Sequence, residues 1–147
     1  MMKEAISKFK LLPKFSVVMP VYNTDIGYLE KAIHSVLDQT YPYWELCIAD
    51  DASPDQTVRD CIASYAAIDN RIRYVFRKEN GNISVSSNDA INLATGEFIV
   101  LFDHDDILDI SALFCLAEKI NALDGKVDLL YTDEDKIDED GNRFNPY

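Results

Sequence analysis

The sequence predicts an α/β fold in which a doubly wound, mainly parallel sheet carries helices on both faces, and three observations favour it. Short apolar segments alternate with longer segments of helical periodicity four times in succession, and a fifth apolar segment closes the series. Most of the short segments are almost continuously apolar, as strands covered on both faces are. Polar or turn-forming residues directly follow four of the five segments. The predicted strands comprise residues 15–19, 45–49, 72–76, 97–102 and 127–131.

The third of these strands has a different pattern from the others. Arginines at positions 71 and 73 alternate with apolar residues at 72 and 74, so that one face of the strand is polar. A strand with a polar face is typical of the edge of a sheet rather than of its centre. We therefore expect residues 72–76 to lie at an edge.

The first two helices are predicted from the residues that cap their amino ends. The helix after the first strand begins at Thr24 or Asp25 and buries apolar residues at helical spacing. The helix after the second strand begins at Ser53, where Pro54 takes the first helical position and Gln56 completes a capping box. The two remaining helices are expected over about residues 84–94 and 110–120.

Length and charge limit the class of protein. A chain of 147 residues, 48% of them hydrophobic, forms one ordinary globular domain. Acidic residues outnumber basic ones by 26 to 14, and the resulting net charge of -12 argues against nucleic acid as a partner. The same charge means that an anionic ligand such as a diphosphate would need a local cation or backbone donors.

Residues 1–13 are expected to form a leader that frays, and residues 14–147 to form the folded domain. The leader is rich in lysine, and residues 4–12 have the spacing of a short basic amphipathic helix suited to an anionic membrane surface. The apolar run that follows is cut at Pro20, too early for a membrane span or a signal sequence. Three well-separated cysteines fit a reducing compartment. The expected location is the cytoplasm, with peripheral attachment to the inner membrane face as a variant of it.

The residues that directly follow four of the strands form the candidate site. In doubly wound sheets, ligands bind at the carboxyl ends of the strands, so these residues are expected to meet at one rim. Three of the four groups contain carboxylates, and their convergence indicates a cation-dependent site. The groups are Pro20, Val21, Tyr22 and Asn23 after the first strand, Asp50 and Asp51 after the second, Asp103, His104, Asp105 and Asp106 after the fourth, and Thr132 and Asp133 after the fifth.

The segment Asp103-His104-Asp105 is the candidate metal site. In an extended segment alternate residues project to the same side, so the two aspartates are expected to face together and His104 to point away. Two converging carboxylates repel each other unless a cation lies between them, and hard oxygen ligands suit Mg²⁺ or Mn²⁺. The alternative is a solvated loop before the next helix, with Asp109 or Ser111 as the cap.

Three further features are candidates for contacts with a nucleotide. One of Asp50 and Asp51 would accept a hydrogen bond from a pyrimidine imide N–H or a ribose hydroxyl, and the other would be structural. Tyr22 offers an aromatic face for a base, and Asn23 offers both donor and acceptor groups. Asn80 and Asn82 precede the third predicted helix, and Ser86 and Asn88 lie within it; these polar residues either contact ligand or ease helix packing.

Five segments match one known family in order along the chain. They are FSVVMPVYN at 15–23, SVLDQTY at 35–41, ELCIADDAS at 45–53, ATGEF at 94–98 and DHDD at 103–106. On these segments the chain resembles family 2 glycosyltransferases of the GT-A fold, especially the bacterial enzymes that build cell-surface polysaccharide. The resemblance covers about residues 14–147.

The resemblance implies a nucleotide-diphospho-sugar donor, with UDP or dTDP favoured, a divalent cation, and transfer with inversion to a hydroxyl of a glycan or lipid-linked acceptor. Pro20 and Tyr22 match positions that line the base, and Asp51 matches the carboxylate that reads it. Asp103 and Asp105 match the ends of the family's DxD motif, which contact the ribose and the metal-bound diphosphate.

Family domains normally continue into an acceptor-binding half that carries the catalytic base. We therefore expect the base to lie outside this chain, and the chain to bind donor but to transfer poorly or not at all. Apolar surface that the other half normally covers would favour self-association. Two alternatives are a non-catalytic module that binds the nucleotide sugar and a haloacid-dehalogenase-type phosphatase, whose apolar strand also ends in DxD. In that superfamily the motif normally ends the first strand, whereas here it ends the fourth.

Overall fold

The computed structural model describes residues 2–138 and 142–145 of the chain. Four parallel strands form its main sheet in the order β3-β2-β1-β4. The edge position predicted for the third strand is confirmed, because β3 pairs with β2 alone. The strands are β1 (Phe15–Val21), β2 (Trp44–Asp50), β3 (Ile72–Phe76) and β4 (Phe98–Leu101).

Helices cover both faces of this sheet, as predicted. Residues along β1 alternate between the two faces: Val17 and Met19 pack in the larger core with α2, α3 and α5, whereas Val18 packs in a smaller core with α4. Both central strands are buried along their whole length, which explains why they read as continuous apolar runs. The helices are α1 (Met2–Ile6), α2 (Ile26–Leu37), α3 (Gln56–Ile68), α4 (Asn82–Leu93) and α5 (Ala112–Ala122).

The predicted helix starts are correct for α2 and wrong for α3. Asp25 caps α2 by accepting a hydrogen bond from the Gly27 N–H at 2.8 Å. The cap of α3 is Asp55, which accepts from the Thr57 N–H at 2.9 Å. Ser53 does not serve as the cap, because its hydroxyl accepts instead from the Asn23 N–H at 2.9 Å. This bond joins the loop after β1 to the loop after β2.

The prediction of a fifth strand at 127–131 is wrong. Within the described residues this segment forms no strand, and Leu129 and Tyr131 are 83% and 90% exposed. A strand needs a neighbour for its backbone hydrogen bonds, and β4 pairs only with β1 in the described part of the chain. The chain instead forms a short antiparallel pair, β5 (Lys136–Ile137) and β6 (Arg143–Phe144).

Part of the predicted leader packs on α5. Phe9 stacks on Phe114 of α5 with ring centroids 5.6 Å apart. The Asn121 side chain of α5 accepts from the backbone N–H groups of Lys10 and Leu11, both at 2.9 Å. The amphipathic helix predicted over residues 4–12 is shorter in the structure, where α1 ends at Ile6. No helix in the described ranges is long and apolar enough to span a membrane.

A buried carboxylate joins β2, β1 and the loop before β4 at the amino end of the sheet. Glu45 accepts hydrogen bonds from Lys14 Nζ at 2.6 Å, from Ser16 Oγ at 2.7 Å and from Thr95 Oγ1 at 2.9 Å. Burial alone would raise the pKa of Glu45, but these hydrogen bonds lower it to about 2. The carboxylate is therefore held in its charged form as part of the fold.

Candidate functional site

The residues predicted to form a site meet at a cavity of about 610 Å³ at the carboxyl end of the sheet. Seven of the twelve candidate residues that follow the strands line it, whereas Asn23, Asp50, Asp106, Thr132 and Asp133 do not. Asn88 does not line it either. The lining residues are Pro20, Val21, Tyr22, Asp51, Asn80, Asn82, Ile83, Ser86, Asp103, His104 and Asp105.

The end of β1 supplies one wall of the cavity. Pro20 and Val21 are the last residues of the strand, and Tyr22 follows them with about half of its surface exposed. Asn23 holds the turn: it adopts a left-handed conformation at φ +46°, and its N–H is bonded to Ser53. An exposed aromatic ring on a fixed turn is suited to stacking on a base.

The two aspartates at the end of β2 lie in different surroundings. Asp50 is fully buried and forms an ion pair with Arg59, with Oδ2 and Nε 2.8 Å apart. The structure therefore places Asp50 away from the cavity, in contrast to its prediction as a binding residue. Asp51 lines the cavity, and its Oδ1 lies 2.8 Å from Arg77 Nε and accepts from the Gly81 N–H at 2.9 Å.

Three non-glycine residues around the cavity adopt left-handed backbone conformations. They are Asn23, Ala52 at φ +61° and Asn82 at φ +64°. Asparagine tolerates this region, but an alanine there is strained. Such strain is often found where the chain must present groups to a ligand, and it occurs here in three of the loops around the cavity, while Asp124 and Asn145 adopt positive φ elsewhere.

The segment Asp103-His104-Asp105 turns instead of running on as a strand. The Asp106 N–H donates to the Asp103 carbonyl at 3.3 Å, and His104 Nδ1 lies 3.2 Å from the Pro20 carbonyl oxygen. The expectation that His104 points away from the site is not met, because His104 lines the cavity together with the two aspartates and its ring contacts Pro20, which also lines it. The hydrogen bond to Pro20 anchors this turn to the end of β1.

The acidic side chains of this turn repel one another. Burial raises the pKa of Asp106, and the charges of Asp103, Asp105 and Glu134 raise it further. Asp103 and Asp105 are exposed, and neither forms an ion pair with a described residue. Both would be stabilised by a nearby cation.

The donor set fits a hard divalent cation that is completed by substrate. Carboxylate oxygens are the ligands that Mg²⁺ and Mn²⁺ prefer, and Mg²⁺ commonly takes one or two carboxylates together with substrate phosphates and water. No group of three or more metal-ligating side chains is found in residues 2–138 and 142–145. Asp103 and Asp105 are the residues of this turn that could hold such an ion together with phosphate and water ligands.

The sequence analysis missed two residues of the site and left the role of three others undecided. Ile83 lines the cavity at the start of α4, and Arg77 holds Asp51 from just beyond β3. Arg77 directly follows β3, and residues that follow parallel strands lie at the end of the sheet where the cavity is, so its position in the sequence could have indicated it. Asn80, Asn82 and Ser86 lie in a polar stretch that the sequence singled out without deciding between packing and ligand contact.

Comparison with known proteins identifies the family. The model of the family described as Glycosyl transferase family 2 matches residues 16–144. The chain therefore belongs to glycosyl transferase family 2, and the resemblance seen in five segments is confirmed. The phosphatase alternative loses its support, because the DxD turn follows the fourth strand and the matching family is a different one.

Three similar proteins illustrate the relationship. The chain is 44% identical over 94 residues to the putative teichuronic acid biosynthesis glycosyltransferase TuaG of Bacillus subtilis, covering 64% of the chain and 36% of the relative. Staphylococcus aureus TarS in complex with UDP-GlcNAc superposes with a TM-score of 0.65 at 30% identity, covering 74% and 31%. The mannosyltransferase PcManGT of Pyrobaculum calidifontis, in complex with GDP-Man and Mn²⁺, gives 0.62 at 25%, covering 86% and 38%. The chain thus spans about a third of the length of each, and the predicted α/β fold is confirmed.

Proposed function

We propose that the chain forms the nucleotide-sugar-binding part of a metal-dependent, inverting glycosyltransferase of surface polysaccharide synthesis. The observation that carries the proposal is the convergence of Tyr22, Asp51, Asp103 and Asp105 on one cavity at the carboxyl end of the sheet. Tyr22 and Asp51 suit a base, and Asp103 and Asp105 suit a cation bound to a diphosphate. TuaG, whose name places it in teichuronic acid biosynthesis, supports the polysaccharide assignment.

The nucleotide base is assigned to the side of the cavity formed by β1 and β2. Tyr22 would stack on the base beside Pro20, and the Asp51 carboxylate would accept a hydrogen bond from a base N–H. UDP and dTDP carry such an N–H on their pyrimidine rings. The TarS complex with UDP-GlcNAc supports a uridine nucleotide.

The diphosphate is assigned to the side of the cavity formed by the turn after β4. Asp103 and Asp105 would hold Mg²⁺ or Mn²⁺, and the bound ion would neutralise charge on the leaving diphosphate. A bridging cation also explains how a chain with a net charge of -12 binds an anion. The PcManGT complex, which contains Mn²⁺ and a nucleotide sugar, supports this assignment.

The acceptor and the location belong to the same proposal. Inversion requires in-line attack by an acceptor hydroxyl, on a glycan or a lipid-linked sugar, while a carboxylate base removes its proton. We assign the base to no residue of this chain. The cytoplasm, including the inner face of the membrane, is where nucleotide sugars would meet such an acceptor.

Calorimetric titration of UDP, dTDP and GDP, with and without Mn²⁺, tests the donor site. We expect one nucleotide to bind the wild type only with Mn²⁺, and Asp103→Asn/Asp105→Asn to weaken it by at least about tenfold, since the cation loses its protein ligands. Asp60→Asn, which removes a charge from the exposed face of α3, is the matched control and should bind as the wild type does.

Two outcomes would count against the proposal. Absence of binding by the wild type under every condition would refute a donor site in this chain. Equal binding by the wild type and the double variant would refute the role of Asp103 and Asp105. A separate assay of sugar release from the matching nucleotide sugar distinguishes a transferase from a module that binds without turnover.

We also propose that the chain forms a homo-oligomer through exposed apolar side chains. Leu101 at the end of β4 is 76% exposed, and Leu129 is exposed in the segment after α5. Sedimentation equilibrium should show concentration-dependent mass for the wild type and a monomer for Leu101→Lys/Leu129→Lys. Ile68→Lys, at an equally exposed position on α3, should behave as the wild type. A monomeric wild type would contradict self-association.

A further inference from the structure

The side-chain amide of Gln39, just after α2, is buried and forms hydrogen bonds through both its nitrogen and its oxygen. Its Nε2 donates to the Ser35 carbonyl at 2.9 Å and to the Asp109 carbonyl at 2.7 Å. Its Oε1 accepts from the Leu113 N–H at 3.0 Å. Gln39 is 7% exposed and does not line the cavity. A buried amide with these partners holds them in one arrangement.

The start of α5 depends on this amide. Leu113 lies in the first turn of the helix, where the backbone N–H groups have no partner within the helix. Ser111, the N-cap residue, forms no capping hydrogen bond with its side chain. Gln39 Oε1 supplies an acceptor instead, from a position 74 residues earlier in the chain. The amino end of α5 is therefore tied to the end of α2.

Two further hydrogen bonds hold the loop between the acidic turn (residues 103–106) and α5. The Leu108 N–H donates to Ser35 Oγ at 3.1 Å, and the Thr40 N–H donates to the Ile110 carbonyl at 3.0 Å. With the two contacts of the buried amide, the backbone from the acidic turn to α5 is bonded at four positions to the end of α2 and the residues after it. This loop is therefore anchored through its backbone.

The acidic turn is held on both sides. On its amino side, His104 Nδ1 lies 3.2 Å from the Pro20 carbonyl oxygen of β1. On its carboxyl side, the nearest of the four bonded positions is Leu108. Asp105 lies between these two points, one residue after His104 and three before Leu108. Its position relative to Asp103 therefore depends on β1 on one side and on α2 on the other.

We propose that Gln39 is a positioning residue of the cation site, which holds the carboxyl side of the acidic turn and so sets the distance between the Asp103 and Asp105 carboxylates. This inference rests on the function proposed above and adds a residue that touches neither cation nor nucleotide. A small divalent cation with octahedral oxygen ligands tolerates less variation in their placement than Ca²⁺ does. Loosening the turn should therefore weaken a complex with Mn²⁺ more than a complex with Ca²⁺.

Titration of UDP, dTDP and GDP in the presence of Mn²⁺ or of Ca²⁺ tests the inference on four proteins. Gln39→Met keeps the length of the side chain but removes its hydrogen bonds, so nucleotide affinity should fall about tenfold with Mn²⁺ and less with Ca²⁺. Ser35→Ala removes the acceptor for the Leu108 N–H and should change the ratio in the same direction to a smaller extent. The matched control is Tyr41→Phe, which removes a buried hydrogen bond to the Pro13 carbonyl at 2.9 Å and should keep the wild-type affinities.

The outcomes separate this inference from the function on which it rests. A wild type that binds none of the three nucleotides would overturn both. A wild type that binds equally well with Mn²⁺ and Ca²⁺ would overturn only the inference. So would a Gln39→Met variant that keeps the wild-type ratio of affinities, including one with equal losses for both ions, because damage to the fold alone would weaken both. If Gln39→Met does not fold, the ratio in Ser35→Ala decides in the same way. A narrowed ratio in these variants, with the wild-type ratio in Tyr41→Phe, would support the inference.

Discussion

The carboxylates at the two ends of the parallel sheet have opposite surroundings. At the amino end, Glu45 is buried among donors, which lower its pKa to about 2 despite its burial. At the carboxyl end, Asp103, Asp105 and Asp106 lie beside one another, and the pKa of Asp106 is raised by its burial and by the neighbouring charges. Glu45 is surrounded by donors, whereas no residue in the described part of the chain donates a hydrogen bond to the side chains of these three aspartates.

This difference distinguishes acidic residues that stabilise the fold from acidic residues that are suited to binding a ligand. A carboxylate saturated with donors stabilises the structure and has little left to offer another molecule. A group of mutually repelling carboxylates costs stability, and such groups are retained where a ligand or cation relieves the repulsion. Substitutions of the same kind at the two ends should therefore have opposite effects on the free energy of unfolding.

The largest effect is expected for Gly96→Ala at the amino end. A Cβ there would lie 2.5 Å from the Lys14 carbonyl oxygen and 2.9 Å from the Ser16 backbone nitrogen. That carbonyl accepts from Glu97 and Phe98, so moving it would disturb the start of β4. We expect the free energy of unfolding to fall by about 3 kcal/mol, measured by urea denaturation. A change below about 1 kcal/mol would show that the backbone moves aside at little cost.

Glu45→Gln should have the next largest effect. The substitution keeps the size of the side chain but removes the charge that holds Lys14, and one amide N–H group then faces donors. The expected loss is about 2 kcal/mol at neutral pH, by the same denaturation measurement. Glu118→Gln on the exposed face of α5 is the matched control and should change stability little. Equal stability of the two variants would contradict a structural role for Glu45.

The difference in free energy of unfolding between the wild type and Glu45→Gln should depend on pH, because the pKa of Glu45 is lowered in the folded protein. A carboxyl group whose pKa is lower in the folded protein stabilises it above the pKa of the unfolded chain. That stabilisation is lost as the pH falls from about 4.5 towards about 2. The gap in stability between wild type and Glu45→Gln should therefore close over this range and stay constant above it.

The parts of the fold that the sequence predicted are those decided by local patterns. The buried strands β1 and β2 read as apolar runs, and Asp25 caps its helix through a contact two residues away. The apolar run at 127–131 has the same local pattern as a strand but no partner among the described residues. Strand formation depends on such a partner, which a local pattern does not reveal.

The residues of the site also fall into two classes: some could be predicted from the sequence, and others depend on tertiary contacts. The rim of the sheet and its aspartates follow from the order of strands, since every parallel strand ends at the same side. The choice between Asp50 and Asp51 depends on where Arg59 and Arg77 lie, and both come from other elements. The direction of His104 depends on a turn stabilised by Pro20, 84 residues earlier in the chain. Contacts over such distances are set by tertiary structure.

At the carboxyl end, Asp103→Asn should raise stability rather than lower it. Removing one of the repelling charges relieves Asp106, and because these side chains are exposed and screened by solvent we expect a gain of no more than about 1 kcal/mol at neutral pH without nucleotide or metal. Because the pKa of Asp106 is raised, its repulsion is present above that pKa and disappears as Asp106 takes up a proton. The gain should therefore shrink on acidification. Asp60→Asn is the control and should change stability little. A loss of stability in Asp103→Asn would contradict the prediction and would show that Asp103, like Glu45, stabilises the fold.

The smallest effect is expected for Ala52→Gly in the loop after β2, the reverse of the exchange at Gly96. Ala52 has a φ of +61°, which costs an alanine about 1 kcal/mol or more, whereas glycine adopts it freely. Glycine also loses more conformational freedom on folding, so the net gain should be only about 0.5 kcal/mol. Thermal unfolding without ligand measures it, with Ala67→Gly on the exposed side of α3 as the control that should lose stability. If Ala52→Gly also lost stability, the left-handed loop would not be strained, and the contrast between the two ends of the sheet would rest on the carboxylates alone.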